Sequence, residues 1–182
     1  RGGIIAINLD ADDEVISARR TNGVQEVILA TKRGKSIRFP EQQVRPMGRS
    51  AAGVRGISLG SQDEVVGMEI LSPGATILTV TANGFGKRTP LEDYRVQNRG
   101  GQGVITIRTT VRNGEVVGVA QVMGDDEVML ITNAGKVLRC RVKSISVMGR
   151  ATQGVKIMER APGEVLVALA RMAEFDAGSE DP

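Results

Sequence analysis

The chain has 182 residues, with 24 Lys and Arg against 21 Asp and Glu, 23 Gly, one Cys and no His. Lacking histidine, it has neither the usual general base nor the commonest metal ligand, and with a single cysteine no zinc site is expected. Aromatics are only 2% of the residues, while glycine and β-branched side chains are abundant. This balance suits many short strands joined by tight turns, so the fold class expected is all-β.

Residues 1–22 start without a methionine, which points to a piece of a longer protein. They end in an acid-turn-strand element, Asp13-Glu14-Val15-Ile16, and read as the second half of a repeat. The next unit, 23–72, shows the whole repeat. Thr31-Lys32-Arg33-Gly34-Lys35 marks a hairpin, Met47-Gly48-Arg49-Ser50-Ala51-Ala52-Gly53-Val54 a glycine loop, and Asp63-Glu64-Val65-Val66-Gly67 the closing strand. The unit 73–123 follows at a spacing of 50, with Thr81-Ala82-Asn83-Gly84, then Gly103-Val104, then Gly114-Glu115-Val116-Val117-Gly118. Its four predicted strands are Thr76–Thr81, Lys87–Pro90, Gly103–Thr109 and Val116–Val122, and Asn83-Gly84 is a strong hairpin signal. The last unit, 124–172, repeats the landmarks at a further 51: Thr132-Asn133-Ala134-Gly135-Lys136, Met148-Gly149-Arg150-Ala151-Thr152-Gln153-Gly154-Val155 and Gly163-Glu164-Val165-Leu166-Val167.

Four short strands per unit of about 50 residues describe a propeller-like blade. A blade cannot bury both its faces alone, so three blades and a half-blade are expected to stack as one domain over 1–172, with Ile28, Ile77 and Met129 in the shared core. Residues 173–182 carry four acids and no base and read as a tail outside that domain. Either they are a disordered solubilising end, or they compete with a polyanion for the basic body.

Little in the sequence suggests catalysis. Gly34-Lys35-Ser36 ends like a phosphate loop, but Leu29 stands where that loop needs its first glycine, and no Gly-x-Gly-x-x-Gly occurs. Acidic pairs such as Asp12-Asp13 and Asp125-Asp126 fall beside turns, as solvated turn acids do. No cofactor is expected. Cys140 reads as a buried small hydrophobe; a lone cysteine, no glycosylation acceptor and no apolar run long enough for a membrane favour a reducing cytoplasm.

What recurs instead is positive charge. The body outside the acidic tail has a surplus of bases, and they fall in two clusters per unit. The hairpin cluster is Lys32, Arg33, Lys35 and Arg38, then Lys87 and Arg88, then Lys136, Arg139 and Arg141. The glycine-loop cluster is Arg49 and Arg55, then Arg99, then Arg150 and Lys156. If such loops line one rim they neutralise phosphates, with backbone NH groups of glycine-rich loops adding contacts that carry no sequence readout. With so few aromatics to stack bases, duplex backbone is a better partner than single strands. The alternative is a propeller-type scaffold that presents the same loops to a protein.

The Met-Gly-Arg-x-x-x-Gly-Val blocks, Thr81-Ala82-Asn83-Gly84-Phe85-Gly86-Lys87-Arg88-Thr89 and Gly149–Val155 resemble the last blades of the C-terminal domain of DNA gyrase A subunits, over essentially 1–172. The resemblance implies a β-pinwheel that binds, bends and wraps duplex DNA around a positive rim, in support of ATP-dependent negative supercoiling by a holoenzyme of A and B subunits. It places the cleaving tyrosine and the ATPase site outside this segment. Gln97-Asn98-Arg99-Gly100-Gly101-Gln102-Gly103 is similar at five of seven positions to the family's Gln-Arg-Arg-Gly-Gly-Lys-Gly box. This adds Gly100 and Gly101 to the expected DNA-contacting residues. Asn98 and Gln102 replace two bases, so this copy is expected to be the weaker one, with the full box upstream.

Overall fold

A computed structural model describes residues 3–172. They form eleven short strands and three single turns of 3-10 helix, and no described helix is long and apolar enough to cross a membrane. Strands β1 (Glu26–Thr31), β2 (Lys35–Pro40) and β3 (Val65–Ile70) belong to the first whole unit, β4 (Thr76–Thr81), β5 (Phe85–Pro90), β6 (Val104–Ile105) and β7 (Val116–Val122) to the second, and β8 (Glu127–Thr132), β9 (Val137–Arg141), β10 (Val155–Lys156) and β11 (Leu166–Arg171) to the third.

The sheets are not the units. One has the order β3-β1-β2-β6, the next β10-β5-β4-β7, and the last β11-β8-β9. Each unit's third strand therefore leaves its own sheet and caps the outer edge of the sheet before it: Lys35 faces Ile105 and Ser36 faces Val104, and Gly86 faces Val155. This exchange makes the architecture a β-pinwheel. The third strand is also shorter than Gly103–Thr109, because only two residues pair before the chain bends away. Among the described residues the last sheet has three strands. Gly53–Ile57, at the equivalent place in the first whole unit, forms no strand.

The hairpins are three-residue turns. The Gly34, Gly84 and Gly135 amides each bond the threonine carbonyl three residues back, and all three glycines have φ near +80°. A side chain there would be strained, which is why the turn ends in glycine.

Both faces of the middle blade are buried. Ile77 packs with Ile28, Ala30, Leu91, Tyr94, Ile107 and Val116 between the first and second blades. Leu78 and Val80 pack with Val128, Leu130, Val142, Ile145 and Leu166 between the second and third. Ile28 and Ile77 thus lie in the core as expected. Met129 is only half-buried, because alternation turns it to the face of β8 away from the second blade, on which no described residue closes a core. Strands β3, β7 and β11 lie side by side along the stack, so the hydrogen-bonding ladders run outward from them to the lent strands.

Candidate nucleic-acid interface

The outer edge of the stack is built from the glycine loops, and one contact repeats along it. The amide of Asn8 bonds the Ala51 carbonyl, that of Ser58 the Gly101 carbonyl and that of Arg108 the Thr152 carbonyl, at 3.2, 2.8 and 2.9 Å. Each loop is thereby fixed onto the third segment of the preceding unit, and the loops stand at corresponding places along one rim. The Gly100 amide adds a 2.7 Å bond to the Gly56 carbonyl. Gly101 packs 3.6 Å from the Ile37 side chain, measured from where its Cβ would stand.

The loop arginines serve the same joint. Arg99 donates its backbone amide to Gln43 Oε1 at 2.6 Å, its Nε to the Gln43 carbonyl at 3.1 Å, and a terminal nitrogen to the Arg55 carbonyl. Arg150 makes the equivalent bond one unit on, to the Ile105 carbonyl at 2.9 Å. Arg49, whose counterpart acceptor would be Ile5, is exposed beside Ile4 and Ile5.

The hairpin cluster divides. Arg38 points inward, pairs with Glu26 and donates to the Leu91 and Tyr94 carbonyls at 2.8 and 3.1 Å; Arg88 reaches the Ile145 carbonyl at 2.8 Å. Arg139 and Arg141 both pair with Glu127, and Arg139, at the position of Arg38, reaches no carbonyl of another blade among the described residues. Lys32 bridges Glu64 of its own blade and Glu115 of the next, at 3.0 and 3.7 Å. The Glu64 hydrogen bond, and then the Glu115 charge, hold its ammonium above the ordinary lysine range. Arg33 lies on the hairpin tip, bonded to Gln62. Lys136 donates to the Glu159 carbonyl and Lys156 pairs with the Glu159 carboxylate.

Lys87 departs furthest from the expected surface cluster, because it is fully buried. Its Nζ donates to the carbonyls of Gly149 and Arg150 at 2.6 and 2.7 Å, and burial lowers its pKa to about 8. The repeat carries the sign of this: Lys87 occupies the position of Ile37 and Leu138, an inward place in the strand alternation.

Among the described residues, the side chains of Lys35, Arg49 and Arg55 make no ion pair or side-chain hydrogen bond. Arg45, Arg95, Arg108 and Lys143 share this freedom and are exposed on or near the same loops. These four lie outside the clusters expected from the sequence, although Arg45 and Arg95 stand at one repeat position. Arg112 lies over the Phe85 ring at 5.1 Å. The acids beside the turns act as local caps: Asp13 Oδ1 accepts from the Glu14 amide, Asp63 Oδ1 from those of Arg33 and Glu64, and Asp126 Oδ2 from Met123. Cys140 is half-buried on the last edge strand, its sulfur 3.5 Å from the Ser144 hydroxyl.

The family model described as "DNA gyrase C-terminal domain, beta-propeller" matches residues 1–22, 25–72, 75–123 and 126–171. The chain belongs to the DNA gyrase C-terminal domain family. The DNA gyrase A subunit of Salmonella typhimurium is 51% identical over 172 residues, which are 94% of this chain and 20% of that protein. The chain thus spans about a fifth of the length of the curated relatives it matches. A solved structure of a DNA gyrase A C-terminal domain superposes with a TM-score of 0.88 at 28% identity, over 94% of this chain and 58% of that one. The C-terminal domain of DNA topoisomerase IV superposes with a TM-score of 0.87 at 26% identity, over 91% and 52%.

Proposed function

We propose that these blades form a non-catalytic module, a single domain over 1–172, that binds duplex DNA through its phosphate backbone and bends or wraps it, as part of a type IIA topoisomerase. The observation that carries this reading is the rim: basic glycine loops held at equivalent positions by a hydrogen bond that recurs in each unit. A rod of regularly spaced phosphates fits such a periodic array, and free arginines suit forked contacts to phosphate oxygens. Bending a site of 20–30 base pairs costs roughly 1–6 kcal/mol, which several neutralised phosphates offset.

In this reading Lys35, Arg49 and Arg55, joined by Arg45, Arg95, Arg108 and Lys143, touch the duplex. Arg33, Arg99, Arg150, Lys136, Lys156, Arg139 and Arg141 reach it with whatever donors their internal bonds leave over, and the Gly100–Gly101 backbone lies against it. Lys87, Arg38 and Arg88 are interior supports instead. The remaining partners are gyrase B and the rest of the gyrase A polypeptide, in a cytoplasmic holoenzyme that uses ATP to supercoil DNA negatively. Competition by Glu174–Asp181 concerns residues outside the described ones and stays a sequence-level expectation. A gel-shift titration with a non-specific duplex tests the reading: affinity at low salt that falls steeply as salt rises is expected, and no binding even at low salt would instead favour a protein-interaction scaffold.

A further inference from the structure

Lys87 is a full positive charge in a place where the sister blades put Ile37 and Leu138. Its head is held by carbonyls rather than by a carboxylate. Those carbonyls belong to Gly149 and Arg150, in the glycine loop of the following unit, and the neighbouring Thr89 hydroxyl donates to the Met148 carbonyl at 3.0 Å. In the preceding blade, the Ile37 side chain packs against Gly101 and supplies no such donor.

We propose that Lys87 is a positioning residue: its ammonium pins the 148–153 loop against the rim and so fixes where Arg150 stands. The pinned loop is the one whose Thr152 carbonyl accepts the Arg108 amide and whose Arg150 guanidinium reaches Ile105, so one buried cation anchors a joint that spans two blades. The first step needs nothing but the protein; only the effect on DNA rests on the binding proposed above.

The anchor is titratable. Burial weakens the charge most, the Asp93 carboxylate supports it, and the Arg150 guanidinium opposes it; the Tyr94 phenol lies in the same field. Deprotonation removes the charge assistance from both carbonyl bonds. Opening the loop, however, would return the amine to water and to its ordinary pKa of 10.5, so the closed joint is favoured more as pH rises from about 8 towards that value.

The test is amide hydrogen exchange on the full chain. The Arg108 amide, bonded to Thr152, reports the Lys87 joint, and the Ser58 amide, bonded to Gly101, reports the equivalent joint over Ile37. The ratio of their protection factors is expected to rise by up to about tenfold between pH 7 and 9 in the wild type. In Lys87→Leu and Lys87→Met the ratio should be low at both pH values. Both variants are expected to fold, since sister blades place apolar residues there, and a single thermal transition checks this. Duplex affinity should fall several-fold in the variants, and on an Arg150→Gln background the salt slope should stay unchanged, because Lys87 itself contributes no phosphate contact. A slope reduced by about one contact on that background would show that Lys87 touches DNA itself and would overturn the assignment. So would unchanged protection in both variants. Failure of the wild type to bind duplex would sink the DNA reading alone, leaving the exchange ratio to decide the anchor.

Discussion

Glycines at equivalent repeat positions differ in what they touch, and that difference can be measured. A Cβ at Gly34 would collide with the Ile107 carbonyl of the lent strand, and one at Gly84 with the Met158 carbonyl, whereas Gly135 has open space around it. All three share a positive φ, so an alanine at any of them costs about 1 kcal/mol from backbone strain. Gly34→Ala should cost at least ~2 kcal/mol more than Gly135→Ala in urea denaturation, because it also dislodges the docked strand. Equal costs would mean that the lent strand contributes no stability at that edge. Lys87 gives a second residue-scale outcome. Its folded-state pKa of about 8 lies below the ordinary 10.5, so between those values the unfolded chain binds more protons and wild-type stability rises with pH. The burial penalty is present below about pH 8 and fades towards pH 10.5. The stability of Lys87→Leu relative to wild type should accordingly decline by up to about 3 kcal/mol across that window. No decline would mean that the ammonium is not desolvated.

The lent strand is the element on which neighbouring blades depend. Thr106 and Ile107 donate their amides to the Gly34 carbonyl at 2.8 and 3.3 Å, and Ile157 and Met158 do the same to Gly84 at 2.8 and 3.1 Å. Ile107 then inserts into the core between the first two blades with 1% of its surface exposed. Ile107→Ala removes apolar volume from a site closed on all sides, and a loss of about 2–5 kcal/mol is expected from the denaturation midpoint. A loss below about 1 kcal/mol would show that the strand is docked loosely. The repeat, its hairpins and its closing strands were legible in the sequence because glycines, threonines and alternating apolar residues mark them locally. The exchange was not. Alternation tells which face a residue takes, but nothing local in Gly103-Val104-Ile105 says whether its ladder partners belong to its own unit or to the one before. Met129 illustrates the same limit, since its burial depends on whether another blade follows.

For the molecule as a whole, the sequence located the basic loops but not the state of each base. Arg38 and Arg139 occupy one repeat position, yet one is clamped between blades and the other lies on an outer surface; only the neighbour differs. Lys87 could have been recognised by setting the repeats in register and finding a charge among Ile37 and Leu138. The free bases Arg45 and Arg95 could have been found the same way. DNA binding should therefore depend on the exposed rim bases and little on the clamped ones. The most direct measurement is the salt dependence of duplex affinity for the wild type and for a variant with Arg49, Arg55 and Arg95 changed to Gln. Each phosphate contact contributes about 0.9 to the slope of log affinity against log salt, so the slope should fall by about two to three in the triple variant. A wild-type slope near zero, or a triple variant whose slope and affinity match the wild type, would contradict a phosphate-binding rim.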